Sequence, residues 1–340
     1  MPKKRNKNRR FGRWTFLLLL AAILLGGFLW LSAGTAPMPA GRAFYVRYER
    51  PTTLPKVLSE MQRKGVVRDP TAFRVYAFIT RTPTQIRTGT YQVRPGMTAR
   101  ELLNEFRKPF SQKVRIPETN WAQRTANLLD TKYQVCSADE YMALYRDPKQ
   151  FHKLVSFPLP STTLEGYLYP DTYDLPPLLG ARAVIERQLK AFERKVWEPL
   201  NHPADLPRIL TVASMVELEA GRDDERAAIA GVIENRLKKK MRLQIDATIL
   251  YGIQRWKRLT NADYKNLDTP YNTYLHEGLP PGPICSPSLK SIEAAMKPDT
   301  SGDSLFYVAM PGQRSAFAST YKEHLKNVKK RRDALKELGQ

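Results

Sequence analysis

The stretch Thr211–Leu237, TVASMVELEAGRDDERAAIAGVIENRL, opens with an almost unbroken apolar run that two carboxylates interrupt, Glu217 and Glu219. The apolar residues cover most of a helical circumference, which predicts a helix buried on nearly all sides, within a helical region from about residue 207 to 241. At about 100° per residue the two glutamates point about 200° apart, so they cannot face the same cleft. Periodicity alone does not choose between them.

A carboxyl group in such a helix has two interpretations. Burial raises a carboxyl pKa, and a raised pKa is what a general acid needs near neutral pH. The alternative is structural: one or both glutamates pair with a basic residue such as Arg226 or Arg236. Both interpretations stay open on the residues alone.

The N-terminus combines a basic segment with an apolar one. Seven basic residues lie within the first 13, and 18 uncharged residues follow, Trp14–Leu31. This run is close to the roughly 20 residues that a membrane-spanning helix needs, and the positive-inside rule keeps the basic end cytoplasmic. We therefore predict a cytoplasmic tail (1–13), an uncleaved anchor in the inner (cytoplasmic) membrane (14–32), a tether (33–44) and an extracytoplasmic remainder. A signal peptide cleaved before Pro37 is the alternative.

Composition narrows the choice of partners. The formal net charge is +22, and removing the seven basic residues of the tail leaves an excess of 15 outside the membrane. Outside the membrane we expect no nucleic acid as a partner. Anionic envelope polymers or lipid headgroups are the partners that this positive charge would attract. Two cysteines, Cys136 and Cys285, allow one disulfide without requiring it. The four histidines have no ligand spacing, so we expect neither a metal nor a cofactor.

The rest of the chain predicts an α+β fold in two parts. Residues 45–111 read as two helical patterns broken at Asp69-Pro70, a short strand, a turn and a helix that Thr98 caps with Glu101. A second domain begins near residue 112 with a strand, and helices follow from about residues 181 to 197. Ser286-Pro287 is predicted to open a helix. A strand and a basic C-terminal helix from Tyr321 complete the chain.

Several motifs occur in a fixed order: ASMVELEAG, IAGVIENRL, MRLQIDATILYG, TPYNTY and GLPPGPICSP. Together they closely resemble the YceG-like family of membrane-anchored endolytic murein transglycosylases, from about Leu54 to the C-terminus. GTYQVRPGMTARELL is similar to the family's LysM-like module, and LEGYLYPDTY is similar to its EGxLxPDTY stretch. The resemblance implies a transmembrane helix, a LysM-like module (45–111) and a mixed α+β catalytic domain (112–340) with the catalytic glutamate on a buried helix.

The resemblance also implies an activity. The second glutamate of the E-x-E pair, Glu219, would be the catalytic residue of an endolytic lytic transglycosylase. Such an enzyme cleaves the bond between N-acetylmuramic acid and N-acetylglucosamine in nascent peptidoglycan and leaves 1,6-anhydro ends, which would terminate strand elongation. The implied partners are glycan strands and the membrane, with peptidoglycan synthases as candidate protein partners.

Alignment with the family places further residues in the substrate groove: Gln244, Asp246, Tyr271, Asn272, Thr273, Tyr274 and Glu165. All of these except Gln244 have a structural alternative: Asp246 as the cap of the ATILYG helix, YNTY as a buried turn with satisfied groups, and Glu165 as the cap of a loop. For the whole protein the alternatives are a non-catalytic membrane-anchored glycan-binding protein or a tethered scaffold for anionic polymers. Neither alternative explains why the acid and the groove motifs occur together.

Overall fold

The structure is a computed structural model that describes residues 7–38, 41–312 and 314–337. Parts of the predicted tail (1–6) and tether (39–40), and the last three residues of the chain, therefore lie outside the described residues. The chain divides into two compact units. Unit 1 comprises residues 1–111 and 176–178, and unit 2 comprises residues 112–175 and 179–340.

Unit 1 begins with the long apolar helix that the sequence predicts. Its elements are α1 (Lys7–Gly34), β1 (Phe44–Tyr48), β2 (Thr52–Thr53), α2 (Leu54–Arg63), α3 (Pro70–Ile79), β3 (Gln85–Ile86), β4 (Gly89–Val93) and α4 (Ala99–Glu105). Within α1, the 22 residues Arg13–Gly34 contain an 18-residue window with a mean hydropathy of 2.4 and are long and apolar enough to cross a membrane. A signal sequence has the same properties, so this helix alone does not separate an anchor from a leader.

The helices and strands of unit 1 enclose a small core of their own. β1 pairs antiparallel with β4, β2 pairs antiparallel with β3, and buried residues such as Leu58, Phe73 and Tyr91 fill the space beside α2 and α3. Asp69 caps α3 by accepting the N–H groups of Thr71 and Ala72. The capping box of α4 is confirmed, because the Thr98 hydroxyl and the Glu101 carboxyl each accept a backbone N–H from the other.

Unit 2 is mainly helical, with two short antiparallel strand pairs. Its elements are β5 (Lys113–Arg115), α5 (Ala122–Asn127), α6 (Ala138–Tyr145), β6 (Thr172–Asp174), α7 (Ala181–Phe192), α8 (Leu206–Glu219), α9 (Arg226–Lys238), α10 (Asp246–Gly252), α11 (Asn261–Asn266), α12 (Leu289–Met296), β7 (Phe306–Ala309), β8 (Ser315–Ala318) and α13 (Tyr321–Glu337). β5 pairs with β6, and β7 pairs with β8. α8 lies in the middle of the core and packs on α9, α10 and α12.

Two predicted helices differ from the observed ones. The region predicted as one helix from 207 to 241 is broken, because the extended backbone of Ala220 ends α8 and α9 begins only at Arg226. The helix predicted to open at Ser286-Pro287 begins later: Ser288 is its N-cap and accepts the N–H of Ser291. Both cysteines are free thiols, so the bridge that the sequence allowed is absent.

Two glycines let backbone segments meet in unit 2. A Cβ on Gly231 of α9 would lie 1.7 Å from the carbonyl oxygen of Asp299, so only glycine permits this contact. Gly166 has a φ of +83°, and a Cβ there would lie 2.6 Å from Pro283. Gly166 thereby lets the LEGYLYPDTY loop lie against the GLPPGPICSP loop. This contact helps to fix Glu165, the preceding residue.

Candidate active site

Glu219 is the last residue of α8, where the helix leaves the core and its side chain is half-buried. Its carboxylate accepts a hydrogen bond from the hydroxyl of Tyr307 at 2.9 Å. Burial raises the pKa of Glu219; the Tyr307 hydrogen bond lowers it in part, and the negative charge of Asp246 raises it further. A carboxyl in this position can hold a proton at a higher pH than an exposed glutamate and can release it to a bound group.

Tyr307 reaches Glu219 from β7, 88 residues further along the chain. Burial and the adjacent Glu219 carboxylate raise the pKa of Tyr307 well above its ordinary value, so its hydroxyl stays protonated and donates. Register fixes its place, since Tyr307 pairs with Phe317 of β8. The sequence analysis did not identify Tyr307, and the only available signal was a tyrosine within the predicted strand.

Asp246 lies at the start of α10 and is exposed. Its two carboxylate oxygens accept hydrogen bonds from the hydroxyls of Tyr274 at 2.7 Å and Tyr264 at 3.2 Å. The rings of these two tyrosines lie 4.5 Å apart. Asp246 is thus oriented by two tyrosines rather than capping α10 with its side chain, which was its structural alternative. Its charge acts on Glu219.

Arg236 is a buried cation beside this group. Its guanidinium donates to the carbonyl oxygens of Leu305 at 2.6 Å and Leu243 at 2.7 Å, and it lies 5.2 Å over the ring of Phe306. Burial lowers the Arg236 pKa, while the neighbouring Tyr307 and Tyr274 act in the opposite sense. Arg236 therefore holds the strand that carries Tyr307, instead of pairing with Glu217 or Glu219.

The other carboxylate of α8, Glu217, is 8% exposed and fully engaged. Its Oε2 accepts the backbone N–H and the hydroxyl of Ser288 at 2.9 and 2.6 Å and the hydroxyl of Ser291 at 2.8 Å. Arg226 pairs with the same oxygen at 3.2 Å. Glu217 therefore joins α8 to the start of α12 and to α9, and the ion pair proposed with Arg226 is present.

The YNTY segment divides into two kinds of residue. Tyr271 and Tyr274 are half-buried, whereas Asn272 and Thr273 are buried. Asn272 donates to the carbonyl oxygen of Leu267 at 2.9 Å, and the Thr273 hydroxyl accepts the N–H of Ile245 at 3.0 Å. Their polar groups hold the loop against neighbouring backbone, including the segment before α10, which is what the buried-turn alternative describes.

Gln244 lies next to this loop and is exposed. Its φ of +53° is unusual for a residue other than glycine, and its N–H donates to the carbonyl oxygen of Thr273 at 3.1 Å. The YNTY loop thus fixes the backbone of Gln244 while its side chain stays accessible. The structure leaves Gln244 available to a ligand.

Glu165 occupies a separate position in unit 2. It is 4% exposed, and its Oε2 accepts the N–H of Ala122 and the hydroxyl of Tyr145, each at 3.1 Å. Burial raises the Glu165 pKa to about 7, against the lowering effect of these hydrogen bonds. Burial and the Glu165 carboxylate raise the pKa of Tyr271, whose ring packs on that of Tyr251 with ring centres 4.7 Å apart. Glu165 therefore caps α5, and it also lines a cavity with Tyr145 and Tyr251.

Fold and site together describe a largely helical unit with a half-buried carboxyl at a helix end, surrounded by tyrosines, in a chain with an N-terminal apolar helix. A model of the YceG-like family matches residues 46–330. The chain therefore belongs to the YceG-like family.

Similar proteins agree with this assignment. A Streptococcus pneumoniae protein named endolytic murein transglycosylase is 27% identical over 92% of this chain, and the chain spans 64% of that relative's length. A Bacillus subtilis protein of the same name is 29% identical, and the matched region covers 91% of this chain and 91% of that protein. The crystal structure of a YceG-like protein from Listeria monocytogenes has 27% sequence identity and a TM-score of 0.55, covering 84% of this chain and 99% of the other.

Proposed function

We propose that this chain is an endolytic lytic transglycosylase of peptidoglycan in which Glu219 acts first as general acid and then as general base. The observation that carries the proposal is the environment of Glu219, where burial and Asp246 raise its pKa while Tyr307 holds its carboxyl in place. Relatives from two genera that carry the name endolytic murein transglycosylase support the same activity.

The reaction needs one carboxyl and no water. Glu219 donates its proton to the oxygen that bridges C1 of N-acetylmuramic acid and the next N-acetylglucosamine, and the C1–O bond breaks. The ionised Glu219 then takes the proton of the C6 hydroxyl of the same muramic residue, whose oxygen bonds to C1. The products are a 1,6-anhydromuramic end and a new N-acetylglucosamine end, and Glu219 regains its proton.

The neighbouring groups suit the charge that develops at C1. Bond breaking leaves oxocarbenium character on the sugar, which an ionised carboxylate stabilises. Asp246 is exposed toward the cleft and oriented by Tyr264 and Tyr274. We assign it this electrostatic role, with Gln244, Tyr271 and Tyr274 as groups that contact the sugars through amide, hydroxyl and ring faces. Asn272 and Thr273 support the loop from behind.

The remaining parts of the proposal concern location. Helix α1 would be a retained anchor with the basic tail inside, residues 45–111 a LysM-like glycan-binding module, and the unit with Glu219 extracytoplasmic, where it meets nascent strands and terminates them. Carbonate-washed membranes should retain the chain, and its mature N-terminus should precede residue 14. Release into the soluble fraction with cleavage near residue 37 would show a signal peptide instead.

Digestion of peptidoglycan in heavy-oxygen water tests the reaction. A lytic transglycosylase leaves new muramic ends that are unlabelled, closed as anhydro rings and one water lighter than hydrolysed ends. Labelled reducing ends would identify a hydrolase, and release of terminal disaccharides alone would identify an exo-acting enzyme. Binding of strands without any cleavage would support the glycan-binding alternative.

A further inference from the structure

A cavity of about 260 Å³ opens in unit 2 at the side of Glu165. Its buried lining, or floor, consists of Glu165, Tyr145 and Tyr251 together with the apolar side chains of Ala122 and Met142. Its rim carries polar side chains: Gln123, Arg146, Thr163 and Gln254. The cavity is smaller than the roughly 300–1,000 Å³ of most ligand sites, so a single small unit of a larger ligand suits it.

The floor of this cavity favours a polar, hydroxyl-bearing guest. Burial raises the Glu165 pKa to about 7, so near neutral pH the carboxyl can both donate and accept hydrogen bonds. The amides of Gln123 and Gln254 at the rim have the same capacity for donation and acceptance.

An aromatic surface lies beside the cavity. Trp256 is 45% exposed, and its ring stacks on buried Trp121 at 5.6 Å with an angle of 25° between the planes. Trp121 in turn meets the floor residue Tyr251 edge-on at 6.1 Å. The guanidinium of Arg124 lies within 6 Å of both indole rings and fixes the stack. An exposed ring on a rigid support next to amides and hydroxyls is the combination that a pyranose ring needs.

Helix α10 connects this cavity to the Glu219 cleft. Asp246 is its first residue and Tyr251 its sixth, which separates them by about 7.5 Å along the helix axis. On the neighbouring loop, Tyr274 binds Asp246 and Tyr271 packs on Tyr251. The two sites therefore lie near opposite ends of one short helix, a separation that a few linked sugars can span.

We propose that the Glu165 cavity, with Trp256 beside it, is a carbohydrate subsite that holds a sugar of the glycan strand remote from the cleaved bond. The inference rests on the proposed function, and it adds a second grip on the strand. A helix-capping role explains the hydrogen bond from Ala122 to Glu165 but neither the cavity nor the exposed Trp256. A strand held at two points is cut internally, so this subsite favours cleavage away from strand ends.

Binding of peptide-free N-acetylglucosamine oligomers to the full chain in detergent tests the subsite. The parent carries Glu219→Gln, which prevents turnover, and calorimetry gives affinities as oligomer length increases. Affinity should rise once an oligomer spans both sites. Adding Trp256→Ala should lower the affinity for long oligomers about threefold to tenfold, as expected for one aromatic contact, and leave short ones unchanged. Trp256→Phe should retain most of the affinity.

Arg258→Ala is the matched control, because Arg258 is exposed on the same segment two residues away. The module in residues 45–111 is common to all variants, so differences between them report on unit 2. Equal affinities of the parent and Trp256→Ala for every length, or no length dependence in the parent, would overturn the proposal. An effect of Trp256→Ala seen only with peptide-bearing strands would identify a peptide pocket and overturn it as well.

The outcome also separates this inference from the proposed reaction. If the chain with Glu219 intact binds oligomers in a way that depends on their length and on Trp256 and yet yields no anhydro ends, the subsite is supported and the reaction is rejected. If the chain forms anhydro ends and Trp256→Ala changes neither its affinity nor its cutting pattern, the reaction is supported and the subsite is rejected.

Discussion

Glu217 and Glu219 lie two residues apart on the same helix, yet their surroundings are opposite. The carboxylate of Glu217 accepts three hydrogen bonds and pairs with Arg226. Glu219 is held by the hydroxyl of Tyr307, and its pKa is raised by burial and by Asp246. A carboxylate that accepts several hydrogen bonds and an ion pair holds a structure together. One that is held by a single hydroxyl and is only half-buried can exchange a proton, so the number of donors separates the two roles.

Replacing Glu219 by Gln is expected to give the largest effect. Gln keeps the volume and can accept the Tyr307 hydrogen bond, but it cannot donate a proton to the glycosidic oxygen. The rate of anhydro-end formation should fall by about 10²–10⁴, while the melting temperature should stay the same or rise. Quantifying anhydro ends by mass spectrometry checks this, and near-normal activity in the variant would remove Glu219 from the mechanism.

Replacing Glu217 by Gln should affect stability instead. It removes the buried carboxylate of the Arg226 ion pair, so that Arg226 keeps only the exposed Asp223 as a charged partner, and it weakens the link to Ser288. We therefore expect a loss of about 3 kcal/mol in the free energy of unfolding. For a unit of this size that is roughly 6–12 °C in melting temperature. Folded protein should keep activity within a few fold. A stable but inactive Glu217→Gln chain would reverse the two assignments.

Replacing Glu165 by Gln should change how stability depends on pH. The pKa of Glu165 in the folded protein is about 7, above the ordinary value of 4.5. Between these two pH values the carboxyl is ionised in the unfolded state but still protonated in the folded one. The parent therefore loses stability as the pH rises from 4.5 to 7. The loss amounts to about 3 kcal/mol between pH 4.5 and 8. Glu165→Gln lacks this loss, so its melting temperature relative to the parent should rise with pH. Glu140→Gln, at an exposed carboxyl on α6, is the control, and parallel curves for all three chains would contradict the prediction.

The smallest expected effects are shifts of the pH–rate profile, from a matched pair of substitutions around Glu219. Asp246→Asn should in addition lower the rate itself, because it removes the charge that we assign to stabilising C1. Tyr307→Phe removes a hydrogen bond that lowers the Glu219 pKa, so the alkaline limb of the pH–rate profile should move to higher pH. Asp246→Asn removes a negative charge that raises this pKa, so the limb should move to lower pH. The rate at different pH values checks both directions, and shifts of the same sign would show that another group controls the profile.

The capping box at Thr98, the apolar span of α1 and the basic helix from Tyr321 follow from short-range patterns and were predicted correctly. The break between Glu219 and Arg226 was missed, because a local apolar pattern does not report the extended backbone of Ala220. Asn272 and Thr273 look as suitable for sugars as Tyr274 does. Only the packing of their loop on Ile245 and Leu267 turns their polar groups inward.

The sequence by itself determined that the chain has an apolar N-terminal helix and that α8 is buried. It also determined that Glu217 and Glu219 point in different directions, because helical geometry depends on neighbouring residues alone. The tertiary structure decided which glutamate is compensated. The donors to Glu217 come from Ser288 and Ser291, and Tyr307 reaches Glu219 from β7. The pKa of a carboxyl depends on burial and on nearby charges, and both arise when distant segments pack together.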